Sequence, residues 1–165
     1  MMLRPFNADD ALTFYRWYHD RRLTHYFRGF IHGASVAQCA NAPQLIRGHI
    51  LVGIDPDTQQ LVGAVSLADL DSILRIYKLG LLVDPDWQHL GFGKALLTGG
   101  VEWAFNVMNA HKILIEIVAG DSRVIHGAEQ AGFQHEGTLR ETCYIDGRFH
   151  DEVVYGLLQR EYRLN

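Results

Sequence analysis

The chain has 165 residues, of which 48% are apolar and 21% are charged, so it fits one folded domain and is not a disordered chain. No apolar run reaches the roughly 18 residues that a membrane span needs, and the opening sequence MMLRPFNADD lacks the apolar stretch of a secretion signal. The net charge of −4 argues against nucleic acid as the main partner, because phosphate binding favours a basic surface.

The first fifty residues follow an irregular pattern. Residues 2–6 are predicted to form a strand, and Asn7 is predicted to cap a helix whose first turn carries Asp9 and Asp10. That helix is rich in aromatic residues, which more often build a core than line a ligand site. One or two short helices are expected between residues 20 and 48.

The rest of the chain has a more regular pattern. The predicted elements are strands at 49–54, 61–67 and 76–83, a helix at 91–109, a strand at 112–118, a helix at 123–130, and strands at 133–145 and 149–158 around the turn Asp146-Gly147. Strand 76–83 is apolar enough to be buried on both faces. Gly99 and Gly100 in the middle of a helix predict close packing against a neighbour. This order predicts an α+β domain with a βαβ unit in its middle.

The most informative feature is the junction between strand 76–83 and the helix that follows. The sequence places Gln88, Gly91 and Gly93 where that helix begins. Free backbone N–H groups and the helix dipole at such a turn bind anions, most naturally a phosphate, and glycine lets the ligand approach the backbone. A Walker A loop does not fit, because Ala95 follows the Gly-Lys pair, and the dinucleotide-binding spacing G-x-G-x-x-G is not met either.

The spacing Gln88-x-x-Gly91-x-Gly93 resembles the [QR]-x-x-G-x-[GA] pyrophosphate loop of GCN5-related N-acetyltransferases, the GNAT family. The run Ala131-Gly132-Phe133-x-x-Glu136-Gly137-x-Leu139-Arg140 and the segment 145–158 are similar to one GNAT subgroup. That subgroup holds ribosomal-protein alanine, spermidine and amino-sugar acetyltransferases. The likeness covers about 110 residues from Leu51 onward and is weak in the first fifty.

The resemblance implies one N-acetyltransferase domain over residues 1–165, with an acceptor-side part at 1–50 and an acetyl-CoA-binding part at 51–165. It implies a mixed, mostly antiparallel sheet of six or seven strands with a splayed central parallel pair, flanked by about four helices. Acetyl-CoA would be the co-substrate, with its pyrophosphate on the turn and its pantetheine arm along the strand end. The residues implied to bind it are Leu81, Leu82, Val83, Gln88, His89, Leu90, Gly91, Phe92, Gly93, Lys94 and Asp121.

The implied reaction transfers an acetyl group from acetyl-CoA to a primary amine by direct attack in a ternary complex. The acceptor would be a small amine, an amino-sugar or a protein N-terminus. Relatives usually have Asn where this chain has Asp121, and many carry a tyrosine, the acid for the CoA thiolate, where it has Ala128. Water, Ser122 or Tyr144 could replace that acid. An acetyl-CoA-binding sensor or scaffold with weak catalysis is the alternative.

No single general base stands out in the sequence. Glu116 lies within strand 112–118, and Asp69 follows strand 61–67, near where such folds place the acceptor. Together with Tyr144 they are the catalytic candidates, although each acid could also be an ordinary strand or loop residue. The candidate acceptor-binding residues are Trp17, Tyr26 and Phe27, since two helices at this place cover the acceptor site in similar enzymes.

The expected partner is a small-molecule or peptide amine, with no nucleic acid and no membrane. Cys39 and Cys143 are too few and too distant for a disulfide framework, which together with the lack of a secretion signal predicts a cytoplasmic protein. The nine histidines show no spacing typical of a metal site, so no metal is expected. The sequence also allows a homodimer, because the apolar C-terminal hairpin could pair with its copy across a two-fold axis.

Overall fold

The computed structural model describes residues 1–24, 34–145 and 147–162, and it contains one sheet of seven strands in the order β1-β2-β3-β4-β5-β7-β6. Strands β4 and β5 run parallel, and every other neighbouring pair is antiparallel. This arrangement confirms the predicted α+β fold with a central parallel pair. The strands are β1 (Met2–Pro5), β2 (Gly48–Ile54), β3 (Leu61–Asp71), β4 (Ile76–Val83), β5 (Lys112–Val118), β6 (Gln134–Ile145) and β7 (Arg148–Leu158).

The helices are more numerous than the predicted four, because several short ones occur in the described residues. They are α1 (Ala11–His19), α2 (Arg21–Thr24), α3 (Val36–Ala40), α4 (Ala42–Ile46), α5 (Phe92–Glu102), α6 (Ser122–Gln130) and α7 (Gln159–Tyr162). Asn7 caps a short 3-10 turn before α1, and Asp10 completes a capping box with it. The predicted helix 91–109 is divided, since α5 ends at Glu102 and a π-helical turn continues to Val107.

Two hydrophobic cores lie on opposite faces of the sheet. On one face, which we call the α5 face, the core contains Val65, Leu79 and Ile115 of the sheet together with Leu97 of α5 and Ala128 of α6. On the other face, which we call the α1 face, the core is built from α1, α3, α4 and the first strands; its members include Phe14, Trp17, Tyr18, Cys39, Ile50, Val52 and Leu82. The described N-terminal aromatic residues are thus mainly core residues, as is usual for such a group.

Strand β4 is less buried than its apolar sequence predicts. Leu79 and Leu82 are buried, whereas the other residues of the strand are half-buried. The physical reason is that β4 lacks a neighbouring strand along part of one side, as described below. None of the helices in the described ranges is long and apolar enough to cross a membrane.

Helix α5 packs closely on the sheet through the adjacent glycines that the sequence singled out. A Cβ atom at Gly100 would lie 2.8 Å from Cγ2 of Val65, and one at Gly99 would clash with Leu3. The contact at Gly100 is against a stiff β-branched side chain that is fully buried. The glycines therefore set the distance between α5 and the β-sheet.

This packing predicts opposite effects for two matched glycine substitutions. Gly100→Ala and Gly127→Ala both gain about 1 kcal/mol of helix propensity. Only the first meets a neighbour, because nothing lies within 4 Å of a Cβ at Gly127. Overpacking costs about 1–3 kcal/mol, so we expect Gly127→Ala to unfold at a higher denaturant concentration than Gly100→Ala. Equal midpoints in urea unfolding would contradict the packing argument.

Candidate active site

A cleft opens in the sheet because β4 and β5 pair over only part of their length. The parallel ladder joins Ile76–Lys78 to Lys112–Leu114 and then ends. Beyond it β4 remains paired with β3, and β5 remains paired with β7 through Val118. Among the described residues, no strand pairs with the β5-facing side of residues 79–83. This wedge-shaped gap, bordered by residues 79–83 and 115–118, is called the cleft below.

Backbone polar groups of β4 point into the cleft at every second residue. The N–H of Asp84, the residue that follows β4, donates to the carbonyl of Val62 on β3 at 2.9 Å. Asp84 and Val62 are therefore a hydrogen-bonded pair at this end of the β3–β4 ladder. Hydrogen bonding alternates along an antiparallel strand, so Leu82 faces β3 while Leu81 and Val83 turn their N–H and C=O groups toward the cleft. An extended ligand with amide groups could pair there as an added strand.

The turn after β4 ends in an uncapped helix N-terminus at the open end of the cleft. Gly91 precedes α5 with φ of 85°, a left-handed conformation that favours glycine, and no side chain caps the helix. The first amides of α5, at Phe92, Gly93 and Lys94, therefore have no partner within the helix. Apart from Gly91 itself and its two chain neighbours, no described residue has an atom within 4 Å of a Cβ placed on Gly91, so an anion could approach the backbone.

The remaining predicted loop residues shape this turn. Gln88 Nε2 lies 3.5 Å from the carbonyl oxygen of Val83, at the limit of a hydrogen bond, and so links the turn to the end of β4. The rings of Trp87 and Phe92 pack edge to face with centroids 5.4 Å apart. His89 adopts a positive φ of 65°, and Leu90 is exposed. Residues 88–93 of the turn thus present backbone and apolar edges and contain no acidic side chain.

Asp121 and Ala128 both belong to helix α6, which follows β5. The Asp121 carboxylate caps this helix by accepting a hydrogen bond from the N–H of Val124 at 3.2 Å. Ala128 is fully buried in the core on the α5 face. A methyl group donates no proton, so Ala128 cannot act as the acid that a tyrosine at this position is expected to supply in relatives.

The three catalytic candidates are not brought together. Glu116 lies on β5 beside the cleft, where its carboxylate accepts a hydrogen bond from Lys78 Nζ at 3.0 Å. Asp69 lies two residues after Leu67 and four residues after Val65 on β3, so its side chain shares their face of the sheet. This is the α5 face, opposite the face that carries Glu116. Tyr144 is exposed near the tip of the β6–β7 hairpin, and β6 is about 10 Å from β5 because β7 lies between them.

One of the three predicted acceptor residues is described by the structure. Trp17 is buried, and its indole N–H donates to the Asp84 carboxylate at 2.6 Å, which ties α1 to the end of β4. This contact gives Trp17 a structural role beside the cleft. Tyr26 and Phe27 lie outside the described residues.

The comparisons with known proteins agree with this geometry. The family model for the acetyltransferase (GNAT) domain matches residues 1–134. The chain belongs to the GNAT acetyltransferase domain family. This membership confirms the GNAT resemblance found in the sequence.

Relatives of this GNAT chain include two curated bacterial proteins. The spermidine N(1)-acetyltransferase of Vibrio cholerae is 28% identical over 109 residues, which are 66% of this chain and 63% of that protein. A putative ribosomal N-acetyltransferase of Bacillus subtilis is 29% identical over 102 residues, 62% of this chain and 56% of that protein. The matched region thus spans less than two thirds of either relative's length.

The same fold occurs in a solved structure of spermidine N-acetyltransferase from Vibrio cholerae in complex with CoA and spermine. The TM-score is 0.89 at 24% identity, and the match covers 99% of this chain and 98% of that chain. The N-terminal region, in which the sequence likeness is weak, therefore shares the fold as far as the structure describes it.

Several charged residues around the cleft of this GNAT domain were not predicted from the sequence. Lys78 is the one charged residue in the apolar strand 76–83, which is a signal that sequence reasoning could have used. Arg22 bonds to Asp86 at 2.9 Å and to Asp20 at 2.7 Å, and its hydrogen bond lowers the pKa of Asp20. Glu152, on β7, is only 4% exposed and accepts a hydrogen bond from Thr142.

The turn geometry predicts that a glutamate at Gly91 prevents CoA binding. A Cβ atom there would meet no described atom other than those of its chain neighbours, and the glutamate side chain would bring bulk and negative charge to the predicted pyrophosphate site. We expect Gly91→Glu to raise the Kd for CoA at least 100-fold in isothermal titration.

The matched control is Gly147→Glu at the β6–β7 hairpin. Gly147 also has a positive φ, 79°, so this variant carries the same charge and similar backbone strain in a hairpin whose strands are separated from β4 by β5. We expect it to bind CoA like the unsubstituted protein. An unchanged Kd in Gly91→Glu would overturn the placement of the loop.

Proposed function

We propose that this chain transfers the acetyl group of acetyl-CoA to a primary amine by direct attack in a ternary complex. The proposal rests mainly on one observation: the cleft between β4 and β5 opens next to the uncapped N-terminus of α5. The acceptor is a small amine, an amino-sugar or a protein N-terminus. The names of the relatives, spermidine N(1)-acetyltransferase and putative ribosomal N-acetyltransferase, support an amine as the acceptor.

The residues at the cleft fit acetyl-CoA. The space at Gly91 and the free first-turn amides of α5 suit a pyrophosphate. The cleft-facing N–H and C=O groups of Leu81 and Val83 suit the amides of a pantetheine arm. Lys94 is exposed at the start of α5, where its charge would favour a bound phosphate. Asp121 is proposed to contact the pantetheine arm through a carboxylate oxygen that accepts a hydrogen bond.

When bound, acetyl-CoA would supply an acetyl thioester. In the transfer, a bond forms between the thioester carbonyl carbon and the amine nitrogen, and the carbon–sulfur bond breaks so that CoA leaves as the thiolate. The residues of this chain are proposed to hold the amine and acetyl-CoA on opposite sides of the cleft. The two reactants then no longer need to meet by diffusion in the correct orientation, which lowers the barrier to reaction. Glu116 is proposed to accept the proton that the ammonium group loses, because its carboxylate lies on the α1 face at the end of the β4–β5 ladder. Water or Ser122, the first residue of α6, is proposed to return a proton to the sulfur.

The second candidate function is an acetyl-CoA-binding sensor or scaffold with poor turnover. The buried methyl group of Ala128 favours it, since a general acid contributes roughly 10²–10⁴-fold to a rate. Tight CoA binding without acetyl transfer to any amine would favour this second candidate. Full acetyltransferase activity of the unsubstituted protein would remove it.

The proposal takes residues 1–165 as one acetyltransferase domain, with the acceptor side formed by residues 1–50 and acetyl-CoA held by residues 51–165. It assigns the reaction to the cytoplasm. A homodimer through the C-terminal hairpin remains part of the proposal, because β6 is an edge strand of the sheet.

The proposed base predicts a selective loss of turnover. We expect Glu116→Gln to lower kcat about 100-fold or more with the Kd for acetyl-CoA unchanged, because a neutral amide accepts no proton from the ammonium. Turnover is followed as release of free thiol from CoA.

The matched control is Glu136→Gln. Glu136 is also a glutamate paired with a lysine, Lys112, at 2.7 Å, but it lies on β6, away from the cleft. We expect it to keep its kcat within about twofold. Equal losses in the two variants would contradict the role of Glu116, and no thiol release from the unsubstituted protein with a broad amine panel would contradict the acetyltransferase itself.

A further inference from the structure

Carboxylates are distributed unevenly along the chain, and this bears on the charge of the acceptor. The protein is acidic as a whole, yet the segment 21–54 contains no Asp or Glu and four arginines. Described parts of this segment, in α3, α4 and β2, build the core on the α1 face together with Leu82 of β4. The helical layer on the acceptor side therefore supplies no carboxylate from this segment.

The carboxylate that borders the cleft on the α1 face already has a cation beside it. Lys78 Nζ lies 3.0 Å from the Glu116 carboxylate, and the two side chains are 37% and 21% exposed. Lys78 is on β4 and Glu116 is on β5, so the pair bridges the two strands where the cleft begins. An ammonium group that comes to Glu116 must share the carboxylate with Lys78 or displace it.

Other acids near the open end of the cleft are also engaged. Asp84 accepts the indole N–H of Trp17 at 2.6 Å. The Arg22 guanidinium bridges Asp20 and Asp86. Glu152 lies on the same face as Glu116 but is only 4% exposed, so its carboxylate is not presented to a ligand from solution.

A polyamine needs a carboxylate or similar acceptor for each ammonium group that it buries, because an unpaired buried charge is strongly disfavoured. We infer that this site selects amines with a single positive charge, attached to a neutral or anionic group, and disfavours polyamines. The inference rests on the proposed function and names its acceptor class. Lys78 is the specificity-determining residue, since it contributes a fixed positive charge beside the attacking amine.

Three acceptors of matched length test this inference: hexylamine, 1,6-diaminohexane and 6-aminohexanoate. They differ only in the group at the far end, which is neutral, cationic or anionic. We expect kcat/KM for the diamine to be at least tenfold below that for each of the other two. The Kd values of the same amines for the CoA-loaded protein, from isothermal titration, give a second readout that does not need turnover.

Lys78→Met removes the charge and keeps most of the side-chain length. We expect it to raise the ratio of diamine to hexylamine kcat/KM about tenfold, because the repulsion between the Lys78 ammonium and the second ammonium of the diamine is then removed. The control is Lys112→Met, which removes a lysine from the same face four residues before Glu116. We expect that variant to leave the ratio within twofold.

The outcomes are distinguishable from failure of the proposed function. A diamine that is the best acceptor or the tightest ligand, or three amines that are acetylated and bound alike, would overturn the inference and leave acetyl transfer standing. If none of the three amines is acetylated or bound, the inference is also overturned, and the broad amine panel then tests acetyl transfer itself. Absence of CoA binding by the unsubstituted protein would overturn the proposed function and this inference with it. If Lys78→Met does not fold, the comparison of the three amines on the unsubstituted protein decides.

Discussion

The divergence of β4 from β5 is the constraint on which the rest of the site depends. After the ladder ends at Lys78, β4 continues to Val83 and β5 to Val118 without pairing to each other. Backbone N–H and C=O groups that leave a ladder need other partners, because unsatisfied buried polar groups are costly. The gap therefore presents a strand edge that a ligand with amide groups can complete, and the uncapped N-terminus of α5 beside it offers a place for an anion.

The two cores hold the diverging strands from opposite faces. On the α5 face, Gly100 brings the helix against Val65, and at the start of the helix a Cβ on Gly93 would lie 3.5 Å from Cγ2 of Val83, at the end of β4. On the α1 face, Trp17 binds Asp84 and fixes the N-terminal layer to the same strand end. The anion turn is thus fixed by both layers, and this rigidity fits a site whose chemistry depends on positioning two reactants.

The strands, the helix starts and the anion turn follow from local sequence signals. Strands 76–83 and 112–118 agree with β4 and β5 to the residue, because each is a short apolar run bounded by turn residues. The pairing of Lys78 with Glu116, and the placement of Asp69 on the opposite face, depend on strand register and neighbour order, which periodicity does not encode. Tertiary packing likewise decides that Trp17 serves the core and that the predicted helix 91–109 changes to a π-helical turn at Trp103.

Isothermal titration of the purified protein with acetyl-CoA, and with CoA in parallel, tests the central claim most directly. The account predicts that both ligands bind at one site with micromolar affinity, because the pyrophosphate and the pantetheine arm, which they share, make the contacts with the turn and with β4. Absence of binding by either ligand, under conditions in which the protein is folded, would contradict the account and leave the GNAT fold without the proposed function.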